Sequence, residues 1–235
     1  MRNKLRSIAW LLVPAMLCLQ GCAAIGWMVN AFAPPKKVDA IFKLPEGKKV
    51  LVFVDDLLRP VDYEPVKAEL TEGINRQLEA HDLAKETIAY EDLLTLMAAT
   101  PEFNELAVSE IGERLGADIV LYVEIDEFAL KDDEVSPLWH GRLAAGVRVV
   151  DAKDATPGSD DDAMGARLWP DDRAGGYPVR PVEIPAHAAS SDGHGAQLSQ
   201  TLAAVMADRV AKLFYKHEIT AREAAELEKE AASSQ

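Results

Sequence analysis

Two thiols, Cys18 and Cys22, and five imidazoles, His81, His140, His187, His194 and His217, are the residues of this 235-residue chain best suited to bond a metal or attack a substrate. No histidine pair has the His-Glu-x-x-His spacing of a helical zinc site, and two thiols four residues apart near the N-terminus do not make a structural zinc set. His187 and His194 flank a Ser/Gly/Asp loop that reads as solvated, with a metal site as the rival reading. Asp151, Asp154, Asp160, Asp161 and Asp162 supply the oxygen ligands calcium needs but lack the ordered spacing of a calcium-binding loop, so they read as a solvated acidic run. Asp55 and Asp56 end an apolar run, where ligand sites of α/β sheets lie; two adjacent acids also cap the turn that follows. There is no Gly-x-Ser-x-Gly elbow and no phosphate-binding loop, since Gly112-x-x-x-Gly116 is not followed by lysine. The sequence therefore assigns no catalytic residue, no metal and no cofactor, and the expectation is a protein that is not an enzyme.

Cys22 has a different chemistry written around it. Arg2, Lys4 and Arg6 precede an uncharged apolar run that begins at Ser7, the basic and hydrophobic regions of a secretory signal. The run leads into Leu19-Gln20-Gly21-Cys22, which resembles a bacterial lipobox. That resemblance implies diacylation of the Cys22 thiol, cleavage before Cys22 and acylation of the new N-terminus. Each buried methylene contributes roughly 0.8 kcal/mol, so several chains on one residue give a lasting anchor. The rival reading is an uncleaved signal anchor, because no charge interrupts Ser7 to Ala33 and that length can span a bilayer. Pro14, Gly21, Gly26 and Asn30 within the run speak against it. Either way the rest of the chain lies outside the cytoplasm. Ala23-Ala24 after the cysteine, where lipoproteins held at the inner membrane often carry Asp, imply the outer membrane, facing the periplasm.

The formal charge of the whole chain is −14, and removing the three basic residues of the signal takes the mature chain to −17. Such a surface repels phosphates and anionic headgroups, so nucleic acid is not an expected partner. With Cys18 removed and Cys22 lipidated, the mature domain has no disulfide and is held by its core. Residues 1–21 read as the signal peptide, 22–47 as an acylated tether broken by Pro34, Pro35, Pro45 and Gly47, 48–217 as one α/β domain, and 218–235 as a charged helical tail.

Periodicity sets out the domain. Lys48 to Asp56 is a strand buried on both faces. Pro65 opens a helix whose Val66, Leu70, Ile74 and Leu78 make one stripe. Thr87 to Ala89 is a short strand and Tyr90 to Met97 a short helix. Asn104 to Leu115 reads as a helix with Ala107, Ile111 and Leu115 buried and Gly116 at its C-terminal cap. Ile119 to Phe128 is the strongest strand, with Val123, Ile125 and Phe128 inward and Glu124, Asp126 and Glu127 outward. After a charged turn, Leu138 to Val150 forms an antiparallel partner, with Arg142 and Arg148 exposed and Gly146 as a bulge. Ala166 to Pro170 is a further short strand. Asp171 to Gly193 is too long for an ordinary loop and is either functional or mobile. Gly195 to His217 is an amphipathic helix carrying Leu198, Leu202, Val205, Met206, Val210, Leu213 and Phe214. The fold class is α/β (α+β), a single mixed sheet with flanking helices.

The order of these elements, with Ile111-Gly112-Glu113-Arg114-Leu115-Gly116-Ala117-Asp118-Ile119-Val120-Leu121-Tyr122-Val123 and the later Val149-Val150-Asp151-Ala152, resembles the superfamily of the curli-secretion lipoprotein CsgG and the N-terminal domain of TolB. The resemblance covers roughly residues 48–217 and implies that fold, an envelope location shared with many of its lipoprotein members, and a role in protein–protein contact. Two features depart from the pattern. The hairpin at 128–143 is short and charged, whereas the curli exporter inserts long amphipathic hairpins, and the 171–193 segment is additional.

Trp169 and Tyr177 border that segment and are the candidate partner-contact residues, since Trp and Tyr dominate binding hot spots; the other reading is that Trp169 pins the segment to the domain. The function expected is a non-enzymatic protein-binding or assembly component of an envelope complex. It would join the membrane through its lipid and would bind an envelope protein or a second copy of itself. The alternatives are a subunit of an oligomeric secretion channel and a signal-anchored periplasmic protein with an unrecognised hydrolase site.

Overall fold

A computed structural model describes residues 36–56, 61, 63–132, 138–154, 165–173, 175–188, 194–220 and 223–225. The signal, Leu19, Gln20, Gly21 and Cys22, and the acids Asp160 to Asp162 lie outside them, as does the side chain of His187. Residues 39–217 form one compact unit; 1–38 with 218–235 form another. Lys36–Val38 (β1) is paired with His217–Ile219 (β9) in a two-stranded sheet.

The larger unit is built on Lys49–Asp55 (β2) and Ile119–Ala129 (β4), a parallel pair in which Val50, Leu51, Val52 and Phe53 lie beside Ile119, Val120, Leu121 and Tyr122. Both strands are near-continuous apolar runs because helices cover both faces, as parallel pairing requires. Glu86–Thr87 (β3) extends β2 on one side in parallel. Leu138–Asp151 (β5) runs antiparallel to β4 on the other. The bulge in this pair falls at Asp126 on β4, between the pairs Ile125 with Ala145 and Glu127 with Ala144. Gly146, expected as the bulge, is instead in register with Glu124. A side chain there would come 3.2 Å from the Gly175 carbonyl, so the glycine marks a close backbone approach.

The other edge of β5 is closed by one broken strand in three pieces. Arg167–Trp169 (β6), Tyr177–Pro178 (β7) and Val182–Ala188 (β8) all pair antiparallel with β5, in turn from its end towards its beginning. Within the 171–193 segment Tyr177–Pro178 and Val182–Ala188 are thus sheet edge. Pro170, Pro178, Pro181 and Pro185 hid this in the sequence; they are tolerated because an edge strand leaves half its amides without a ladder partner.

Pro65–Ala80 (α1) and His194–Lys212 (α4) cover one face of the sheet. The stripe Val66, Leu70, Ile74 and Leu78 is fully buried against Val50, Val52, Leu121, Leu202 and Met206. α4 ends at Lys212, before the expected His217. Leu213 and Phe214 still reach the core from the turn that follows, and the Leu213 carbonyl accepts the Ile41 and Phe42 amides. Those bonds, with buried Leu44, fix residues 39–47 to the domain where a spacer was expected.

The opposite face is covered by Tyr90–Ala99 (α2) and Val108–Arg114 (α3). The helix expected from Asn104 is interrupted: Phe103–Glu105 is a 3-10 turn and Ala107 has extended ψ. Val108, Ile111 and Gly112 therefore face the sheet, and Ala107 and Leu115 are half-buried. Gly112 lies so close that a Cβ would meet the Val120 side chain at 2.4 Å and Ala152 at 2.9 Å. Gly116, at φ +71, makes the left-handed turn out of the helix. Asp118 then joins three strands. Its amide donates to the Lys49 carbonyl, its carbonyl accepts from Ala152, and its carboxylate accepts the Lys49 amide at 2.9 Å. The Lys153 ammonium, with that amide, holds the Asp118 carboxyl down to about 2 from 3.8. The Leu-Gly-Ala-Asp run is a structural joint.

Candidate functional site

The C-terminal end of β2, beside Tyr122 of β4, opens into a cavity of about 340 Å³ between the sheet and the α2–α3 layer. Phe53, Leu93, Phe103, Leu106, Val108 and Ile111 form its apolar walls, and Asp55, Asp56, Lys67, Tyr90 and Tyr122 its polar end. Strand alternation turns Asp55 and Tyr122 to this face, and their parallel register lets the phenol donate to Asp55 Oδ2 at 2.7 Å. Burial first, and the Asp55 carboxylate second, push the Tyr122 phenol far above its ordinary range, so it remains a donor. Asp56 accepts the Val61 amide at 2.8 Å and pairs with Lys67 Nζ at 3.2 Å. Burial pulls the Lys67 ammonium down, but Asp56 and Glu64 outweigh it and hold it above its usual value.

The polar row continues across the sheet. The Arg148 guanidinium lies 5.4 Å from the Tyr122 ring centre and pairs with Glu124 at 3.1 Å, each side chain only 9% exposed. The sequence placed Glu124 and Arg148 outward. Alternation gives their face correctly, but Gly176 packs on Arg148 and closes that end of the sheet. Further along, Arg142 pairs with Glu127 at 2.7 Å and with Asp132, and His140 bridges Asp132 and Glu183 at 2.8 and 2.9 Å. Glu183 first, then Asp132, raise the His140 pKa.

Around the cavity mouth α2 is apolar on more than one side. Leu93 is buried, whereas Leu94 and Met97 are 43% and 40% exposed. A short helix with Leu93, Leu94, Leu96 and Met97 has more apolar surface than one stripe needs, and that excess was the sequence signal for this rim. Lys67 and Tyr122 had no such signal: α1 brings Lys67 to Asp56, and the parallel register of β2 and β4 brings Tyr122 to Asp55.

Trp169 and Tyr177 lie elsewhere. Their rings stack at 4.9 Å, and Trp169 also packs on Phe42 at 5.6 Å and Phe214 at 6.1 Å. Both are half-buried, and the cluster ties the 39–47 segment, the broken edge strand and the end of α4 together. Of the histidines, His81 stacks on Tyr215 at 3.8 Å and His194 packs edge-on to Trp139. Among the described residues no three His, Cys, Asp or Glu side chains are placed to hold a metal, and no helix is long and apolar enough to cross a membrane.

No family of known sequence matches the chain, and neither does any curated protein. Among solved structures it is similar to the PelC dodecamer from Paraburkholderia phytofirmans, at 12% identity over 77% of this chain and 98% of that one, TM-score 0.41. It is also similar to a lipoprotein from Neisseria meningitidis, at 13% identity over 70% and 99% of the two chains, TM-score 0.37. A lipoprotein from Caulobacter crescentus gives 11% identity, 69% and 84% coverage and a TM-score of 0.34. Likeness at this level decides neither family nor function.

Proposed function

We propose that this chain is an envelope lipoprotein, acylated at Cys22 and held at the outer membrane facing the periplasm, whose domain is a non-enzymatic binding or assembly component. The observation that carries the binding role is the open, apolar-rimmed cavity at the end of β2, beside Tyr122 of β4, with Leu94 and Met97 exposed at its side. Monomeric domains seldom leave large apolar side chains beside a cavity without a use for them. The polar groups there are already engaged with one another, Tyr122 with Asp55 and Lys67 with Asp56, which suits a recognition surface. The β4–β5 hairpin carries Glu127, Asp132, Arg142 and His140 in a linked network. A lipid-facing hairpin needs an apolar outer face, so this network favours a binding role over a membrane-inserting channel subunit.

The anchor is tested by intact mass and membrane fractionation of the wild type beside Cys22→Ser. The expected species begins at Cys22, carries acyl mass, and is lost in the variant. A full-length, unacylated chain that stays membrane-bound in both would establish a signal anchor instead.

A further inference from the structure

We propose that the α2–α3 rim takes a basic amphipathic segment of a partner protein, with an apolar side chain entering the cavity beside Met97 and Phe103 and flanking Lys or Arg side chains meeting the surrounding acids. This deepens the binding-protein reading and rests on it. From Tyr90 to Glu113 the chain has six acidic residues and no Lys, Arg or His. Glu110 pairs with Arg114, but Glu91, Asp92, Glu102, Glu105 and Glu113 make no ion pair among the described residues, and all five are exposed. Glu102 and Glu105 bracket Phe103 and Asn104, which line the cavity. An apolar anchor site whose covering segment, Tyr90 to Glu113, carries exposed acids without ion-pair partners among the described residues is complementary to an apolar residue flanked by cations. Lys67, the cation that lines the cavity, is paired with Asp56 and Glu64.

The same charge speaks against a second copy on this face. Two such rims would bring like charges together on chains that each carry −17 once the signal is removed, and like-charge juxtaposition opposes docking. The cavity is also near the small end of the ~300–1,000 Å³ range of small-molecule sites, while its exposed rim continues along α2, as a peptide contact requires.

Methionine methyls make the test specific to the site. Met97 is 40% exposed at the rim, and Met206, fully buried on the inner side of α4, is an internal reference on the other face. The full chain, methyl-labelled in a zwitterionic detergent, is titrated with three synthetic peptides: a Leu/Lys amphipathic helix, its Leu/Glu counterpart, and a Lys/Ser peptide without an apolar face. The expected result is that the Leu/Lys peptide shifts the Met97 methyl and leaves Met206 in place, with the other two at least about tenfold weaker. Leu94→Glu should weaken it roughly 30-fold, the size of a hot-spot loss. Glu102→Lys with Glu105→Lys should turn the preference towards the Leu/Glu peptide. An unmoved Met97 methyl, equal binding by Leu94→Glu, or equal binding of the Lys/Ser peptide would overturn the proposal. So would a Met97 shift that grows with protein concentration alone, which would mean that a second copy covers the face. An unchanged Met206 methyl reports that each variant is folded. Cys22→Ser titrated in parallel separates the two readings, since loss of the anchor leaves peptide binding intact.

Discussion

α1 and α4 lay 16 and 19 residues of helix over one face of the sheet, whereas α2 and α3 lay only 10 and 7 over the other. On the first face Val50, Val52, Ile119, Leu121, Val123, Leu143, Val147 and Val149 of β2, β4 and β5 join the two long helices in one buried apolar layer. On the second, the cover stops part-way. Beyond it the strands carry Asp55, Tyr122, Glu124, Arg148, Arg142 and His140, linked in pairs, and a cavity opens where helix and charge meet. A closed apolar layer makes the fold stable, and the half-closed layer leaves surface for recognition.

Substitutions on the two faces should therefore fail differently. Leu202→Ala, at a fully buried position on the first face, should cost about 3 kcal/mol in chemical denaturation, since a closed layer collapses poorly around a void. An effect below about 1 kcal/mol would mean that the first face is less tightly closed than described. Glu124→Ala on the second face should cost less, about 2 kcal/mol, because the Arg148 guanidinium loses its carboxylate while only 9% exposed, and keeps Tyr122 beside it. Glu124→Gln, which keeps a hydrogen-bond acceptor, should cost less again. If both variants are neutral in urea melts, the polar row contributes nothing and the second face is simply unfinished surface.

The smallest effects are read as pH dependence. Asp118 has a folded-state pKa below its ordinary 3.8, so its contribution is full above 3.8 and is lost as pH falls towards about 2. Asp118→Asn should be less stable at neutral pH and should flatten the stability curve across that acid window. His140 has the opposite sign. Its pKa is raised above 6.5, so its contribution is full below 6.5 and is lost as pH rises through the higher folded value. His140→Gln should remove that loss. Parallel pH profiles of wild type and variant would show the second-face network to be energetically silent.

Local periodicity made much of this legible. The Val66, Leu70, Ile74 and Leu78 stripe, the β2 and β4 runs and the Gly116 turn follow from spacing alone, and all are present. What was not legible depends on distant pairings. Tyr177–Pro178 and Val182–Ala188 become edge strand only because β5 offers its free side, Gly176 packs over Arg148, and residues 39–47 are held by the Leu213 carbonyl. The cavity is of the same kind. Asp55 is marked in the sequence by its place at a strand end, but its partner Tyr122 lies 67 residues away and meets it only through the parallel register.

The contrast between the faces is tested most directly by placing a photo-crosslinking amino acid at Leu94, or at Glu72 on the exposed side of α1, in cells making the acylated chain. A discrete adduct from position 94, weakened by salt and absent from position 72, is the predicted result. Equal adducts from both positions, or an adduct from position 72 alone, would contradict the assignment of recognition to the half-covered face.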